Sequence, residues 1–147
     1  MSDKTTMASS LVRRTVTIVT PALATANNGN WRTADRWSHF LGELYDVDVK
    51  KHWIPGDPEP DLIIALHARR SAEDVANFSK TGKPVILVLT GTDLYRDIQT
   101  DDSAKRSLDL ATHLVVLQQA GLAELTAAAQ KKCTVIEQSA ESTPAKA

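Results

Sequence analysis

Two runs of five residues with no polar member, Leu62-Ile-Ile-Ala-Leu66 and Val85-Ile-Leu-Val-Leu89, constrain this chain more than any other feature. A strand wetted on one side alternates apolar and polar residues. A run that is apolar throughout suits a strand covered on both faces, as in a parallel sheet. The turn signals Pro55-Gly-Asp-Pro58 and Gly82-Lys-Pro84 precede the two runs. Around them the chain alternates between patterns. Residues 14–20 read as a first strand and 31–44 as a helix, with Trp37, Phe40, Leu41 and Leu44 at three- and four-residue spacing. Residues 46–51 form a short alternating strand of edge character. Ser71 opens a second helix, with Asp74 at the capping-box position, and 101–111 is a third. Strands at 113–117 and 134–136 flank a helical stretch at 121–130. Such repeated alternation predicts an α/β domain with a predominantly parallel sheet and right-handed crossovers.

Composition limits the function classes. At 147 residues and 42% hydrophobic content, the chain is expected to form one domain over 14–139, with a flexible leader at 1–13 and a flexible tail at 140–147. Seventeen basic and eighteen acidic residues leave a formal charge of -1, which carries no nucleic-acid signal. The single Cys133 rules out an intrachain disulfide and fits a reducing compartment. No apolar run reaches membrane-spanning length and the start lacks a signal-peptide pattern, so no membrane partner and a cytoplasmic location are expected.

Three polar loops follow the strands at 14–20, 61–66 and 85–89. The first, Asn27-Asn-Gly-Asn-Trp-Arg-Thr-Ala-Asp-Arg36, opens into the first helix. Gly29 permits close backbone approach, and first-turn amides beginning near Asn30 form an anion cradle, with Arg32 and Arg36 nearby. Gly beside Asn is equally an ordinary turn, and Asn30 an ordinary helix cap. The second loop carries His67, Arg69 and Arg70. An imidazole there suits proton transfer or hydrogen-bond donation, and guanidinium groups suit phosphate or carboxylate oxygens. Surface or structural duty is the bland alternative. The third loop, Thr90-Gly-Thr-Asp-Leu-Tyr-Arg-Asp97, offers the hydroxyls of Thr90 and Thr92, the backbone freedom of Gly91, the carboxylate of Asp93 and the charge of Arg96. Asp93 suits orienting a base or accepting a substrate hydroxyl, and equally capping a helix. Three such loops after three apolar strands favour a binding crevice at the carboxyl edge of the sheet.

Several chemistries leave no trace. No G-x-G-x-x-G follows the first strand, and neither a phosphate loop nor a nucleophile elbow occurs. His39, His52, His67 and His113 have no zinc spacing, so no metal is expected. His39 falls on the polar side of the first helix and His113 at a strand start, where it supports the fold. Trp31 and Trp37 are expected to close the helix against the sheet.

At these loops the chain resembles the amino-terminal half of the glycosyltransferase-like selenosugar synthases of selenoneine formation. The matching words are Ala26-Asn-Asn-Gly-Asn-Trp-Arg-Thr-Ala34, Ala65-Leu-His-Ala-Arg-Arg-Ser71 and Val88-Leu-Thr-Gly-Thr-Asp-Leu-Tyr-Arg-Asp-Ile98, followed by Leu114-Val-Val-Leu-Gln118 and Val135-Ile-Glu-Gln-Ser-Ala140. They fall in consistent order across residues 14–140.

The resemblance implies a GT-B architecture, with two Rossmann-like halves around a cleft; this chain would be the three-layer, acceptor-side half. It implies that selenium from selenophosphate is joined to the anomeric carbon of a UDP-N-acetylhexosamine, the donor substrate, with no further cofactor. Carried over by position, Asn28, Gly29, Asn30 and Arg32 line the first loop, His67, Arg69 and Arg70 the second, and Thr90, Gly91, Thr92, Asp93 and Arg96 the third. His67 and Asp93 are the catalytic candidates and the others the acceptor or anion-binding ones. A family member continues into a second half with the donor contacts, so activity is expected to require a separate donor-binding domain or chain. The alternative function is a non-catalytic oxyanion- or sugar-phosphate-binding module.

Overall fold

The computed structural model describes residues 13–21, 29–91 and 93–137. The expected tail, Asn28, Thr92 and all of the expected leader except Arg13 lie outside that set. The elements are β1 (Thr15–Val19), α1 (Gly29–Leu41), β2 (Asp46–Lys50), β3 (Leu62–Leu66), α2 (Ala72–Ser79), β4 (Val85–Leu89), a π-helical turn (Asp93–Asp97), α3 (Ile98–Thr100), α4 (Asp102–Leu110), β5 (His113–Val116), a 3-10 turn (Gln119–Glu124), α5 (Ala127–Gln130) and β6 (Cys133–Val135). Among the described residues no helix is long and apolar enough to cross a membrane.

The strands form one six-stranded sheet in the order β2-β1-β3-β4-β5-β6, and each neighbouring pair is parallel. With helices on both faces, this is a Rossmann-like three-layer α/β domain. The all-apolar run of β3 follows from its two-sided burial. Ile63 and Ala65 join one core cluster with Val75 and Phe78 of α2 and Ala104 of α4. Ile64 and Leu66 join the other, with Ala34, Trp37 and Leu41 of α1. Successive side chains of a strand point to opposite faces, so a strand packed on both sides has no position for a polar residue. The edge strand β2, Asp-Val-Asp-Val-Lys, alternates because its position leaves polar side chains in contact with water.

Chain order reverses at β1. The chain steps outward from β1 to β2 through α1, then returns past β1 to β3 and moves the other way. Right-handed crossovers in opposite directions place their helices on opposite faces. α1 therefore lies on one face, while α2, α4 and α5 contribute to the core of the other. Between β1 and β3 the connections diverge, which makes this the topological switch point.

Several sequence expectations change in the structure. The first helix begins at Gly29 and ends at Leu41. Trp37 and Leu41 pack on the sheet, but Phe40 and Leu44 are each 70% exposed. Neighbouring helical residues are about 100° apart, so the line that buries Leu41 turns Phe40 outward. Leu44 lies beyond the last turn. Ser71 makes no capping bond to α2; its hydroxyl donates to Leu66 O at 2.6 Å. Asp74 instead accepts the Trp53 N–H at 2.8 Å. The helix expected at 121–130 divides into a 3-10 turn and the short α5, capped by Thr126. The third helix begins as read from sequence, with Asp101 accepting the Ala104 N–H at 2.9 Å.

Candidate functional site

The strands β1, β3 and β4 are consecutive in the sheet, with Val19 opposite Ala65 and Leu66 opposite Val88. Their carboxyl ends therefore open on one edge, on both sides of the switch point. Helix α1 begins on that edge because the crossover leaving β1 must run back antiparallel to it. Asn30 is half-buried in the first turn and Arg32 is exposed. For Gly29 only the backbone is described.

The loop after β3 is a tight turn fixed from several directions. The His67 N–H continues the ladder to Val88 O at 2.9 Å, and His67 O accepts the Ser71 N–H at 3.0 Å. Between these bonds His67 takes φ 81°, the left-handed region that a non-glycine residue adopts at a cost. Gly91 takes φ 159°, a positive value that residues with a side chain rarely adopt, so its backbone freedom is used here. The Ser107 hydroxyl donates to Ala68 O at 2.7 Å, tying the turn to α4.

The loop after β4 is bound to the same turn by Asp93. One carboxylate oxygen accepts the Ala68 N–H at 2.9 Å, while the other accepts the N–H groups of Thr90 at 3.0 Å and Gly91 at 2.8 Å. Asp93 is fully buried, and its oxygens join two loops that are 25 residues apart in sequence. This loop then enters a π-helical turn, Asp93–Asp97, where sequence reasoning expected irregular chain. Wide turns of this kind interrupt the regular helical ladder and recur at functional sites.

That turn presents Asp97, which the sequence reading did not select. Its side chain is almost buried. One oxygen accepts from Arg69 Nε at 3.0 Å and lies 3.9 Å from His67 Nε2, and the other lies 3.5 Å from Arg96 Nε. Burial alone would raise the Asp97 carboxyl above its ordinary range. The Arg69 hydrogen bond and the positive charges of Arg69 and Arg96 outweigh that and hold it below. His67 behaves oppositely. Burial of the imidazole pushes its pKa down and prevails over the Asp93 and Asp97 carboxylates, with Arg70 and Arg69 acting in the same direction as burial. Its Nδ1 accepts the Arg70 N–H at 3.1 Å.

The structure thus brings His67, Arg69, Arg70, Thr90, Gly91, Asp93 and Arg96 onto one edge, with the first turn of α1 on that edge too. Thr90 and Gly91 are half-buried, and Arg70 and Arg96 are exposed. The signal for Asp97 was its spacing from Asp93, which acquires a spatial meaning only once 93–97 is helical. The other histidines lie apart from this cluster: His113 Nε2 meets Thr134 Oγ1 at 2.7 Å, and His39 Nδ1 lies 2.8 Å from Asp35 O. Among the described residues no group of three or more His, Cys, Asp or Glu side chains is placed to hold a metal ion.

Comparison with protein-family models and with curated proteins returned no match. The fold and the geometry of this edge therefore carry the functional argument.

Proposed function

We propose that this edge is an oxyanion-binding crevice, and that the domain serves as the acceptor side of a glycosyltransferase-like selenosugar synthase. In this reading the crevice holds selenophosphate for attack on the anomeric carbon of a UDP-N-acetylhexosamine. The C–Se bond forms as UDP leaves, and the phosphoryl group passes to water. A second Rossmann-like domain or chain supplies the donor pocket, and the reaction takes place in the cytoplasm. The observation that carries the reading is the placement of Arg69 and Arg70 on the edge where α1 begins, beside the switch point. Ligands of open α/β sheets bind at such points, and helix amides and guanidinium groups both favour anions.

Asn30 and the first-turn amides of α1 cap the anion, while Arg69 and Arg70 supply directed donors. Thr90, Gly91 and Arg96 complete the wall, together with Asn28, Arg32 and Thr92 from the sequence resemblance. Of the two catalytic candidates, Asp93 serves by holding the loops in register, since both its oxygens are engaged by main-chain N–H groups. His67 serves as a neutral imidazole oriented by the Arg70 N–H. The same engagement of Asp93 and His67 favours a second reading, in which the domain binds an oxyanion or sugar phosphate without catalysing its transfer.

Binding calorimetry with inorganic phosphate and selenophosphate tests the crevice. Wild type is expected to bind both, and Arg69→Ala to weaken binding about tenfold or more while the domain stays folded, with a lowered thermal melt because Asp97 loses its partner. Absence of binding to wild type, or unchanged affinity in R69A, overturns the reading. Turnover of a UDP-N-acetylhexosamine and selenophosphate, assayed with and without an added donor-binding half, separates the synthase from the binding module.

A further inference from the structure

We infer that Asp97 is a positioning residue for the crevice: it holds Arg69 through Nε and leaves the guanidinium's terminal amino edge to grip two oxygens of one oxyanion. The inference rests on the oxyanion reading above and deepens it by naming the grip and the residue behind it.

The geometry of the pair carries the argument. Arg69 Nε lies 3.0 Å from Asp97 Oδ2, and the side chains are 38% and 7% exposed. A guanidinium offers five N–H donors in a fixed plane. Among the described residues, only the Nε donor of Arg69 is used by a protein acceptor. The remaining edge carries two parallel N–H groups whose spacing matches two oxygens of a phosphate or carboxylate. A long arginine side chain loses many rotamers when it binds. Anchoring its Nε to a buried carboxylate removes much of that freedom before the ligand arrives.

Asp97 is itself held in place. It is the last residue of the π-helical turn, its main-chain oxygen accepts the Asp101 N–H at 2.7 Å, and its other carboxylate oxygen faces Arg96 Nε at 3.5 Å. The neighbouring Asp101 also feels the charge of Arg69, but its oxygen takes the Ala104 N–H and the Ser103 hydroxyl.

A carboxylate beside an anion site is unfavourable by repulsion alone. If Asp97 were only a nearby charge, removing that charge would tighten anion binding. If it positions Arg69, removing the charge weakens binding, because Arg69 is then held less firmly. The direction of the change separates the two roles.

The experiment measures inorganic phosphate affinity at constant ionic strength for wild type, Asp97→Asn, Arg69→Ala and the double variant. Circular dichroism and thermal melts verify folding. D97N is expected to weaken phosphate binding about fivefold in the wild-type background, and to leave it unchanged or tighten it when Arg69 is already absent. Tighter binding by D97N, or the same loss in both backgrounds, overturns the inference while leaving the crevice reading standing. Wild type that binds no phosphate overturns both. Should D97N fail to fold, Arg69→Lys decides. A single ammonium cannot meet Asp97 and also offer a planar fork, so R69K is expected to lose nearly as much affinity as R69A. Retained affinity in R69K overturns the inference.

Discussion

His67 Nε2 lies 3.9 Å from a carboxylate oxygen of Asp97, while His67 Nδ1 accepts the Arg70 N–H at 3.1 Å. A nitrogen that accepts a main-chain N–H carries no proton, so the neutral ring holds its proton on Nε2. Charging the ring would put a second N–H against that of Arg70. The two residues thus form a neutral donor beside a buried anion.

The first prediction follows from that arrangement. Burial lowers the folded-state pKa of His67 below its ordinary 6.5. In the window between the two values the unfolded chain takes up a proton that the folded chain resists. Stability from this group is therefore complete above pH 6.5 and is lost as pH falls towards the folded value. His67→Gln removes the titration and is expected to cost about 2 kcal/mol near neutral pH through the lost buried ring. Urea unfolding from about pH 7 to about pH 5 should show the gap between wild type and H67Q narrowing on acidification. A constant gap would contradict the buried neutral assignment.

Asp93→Ala should be among the most destabilising polar substitutions in the domain. It strips the Ala68, Thr90 and Gly91 N–H groups of their acceptor, at about 3 kcal/mol or more. Asp93→Asn keeps one acceptor oxygen but turns an amide group towards a donor, and is expected to cost about 2 kcal/mol. Equilibrium denaturation measures both, and a loss under about 1 kcal/mol in D93A would remove the staple assigned to this carboxylate.

Two phenylalanines give a paired test of the fold. Phe78 is fully buried, with its ring edge-to-face on Trp53 at a centroid distance of 5.0 Å, whereas Phe40 is 70% exposed. Phe78→Ala is expected to cost about 4 kcal/mol, from lost burial, the cavity and the ring pair. Phe40→Ala is expected to change stability by less than about 0.5 kcal/mol. Comparable losses in thermal melts would mean that the outer face of α1 is covered in solution.

Asp74 titrates with the opposite sign to His67. Burial raises its pKa above 3.8, against the Trp53 N–H and His52, so stability from the protonated group is complete below 3.8 and is lost as pH rises through the folded value. Asp74→Asn keeps an acceptor for the Trp53 N–H and does not ionise. The stability of D74N relative to wild type should therefore rise between about pH 4 and about pH 7, measured by urea unfolding at matched ionic strength.

Much of the architecture is legible in the sequence because burial leaves a local mark. The runs at 62–66 and 85–89 carry no polar residue because each of these strands touches both core layers, and the Asp-Val-Asp-Val-Lys of β2 alternates because it lies at an edge. Apolar periodicity is read within a few neighbouring residues, so strand positions and the parallel α/β class follow from it. The loops after those strands were also recognisable, since Gly, Thr and charged residues interrupt apolar runs.

The arrangement of the site depends on contacts between residues distant along the chain. The order β2-β1-β3-β4-β5-β6 decides which loops are neighbours. Asp93 meets Ala68 across 25 positions, Arg69 meets Asp97 across 28, and Ser107 meets Ala68 across 39. No local pattern specifies such pairs, because they arise only when crossovers bring chain ends to one edge. The same holds for the left-handed backbone of His67 and the outward turn of Phe40, where packing of the whole domain overrides the preference of the residue. Local patterning thus specifies the strands and the polar groups at their ends, while packing of the whole domain selects which of those groups meet, because their partners lie far apart along the chain.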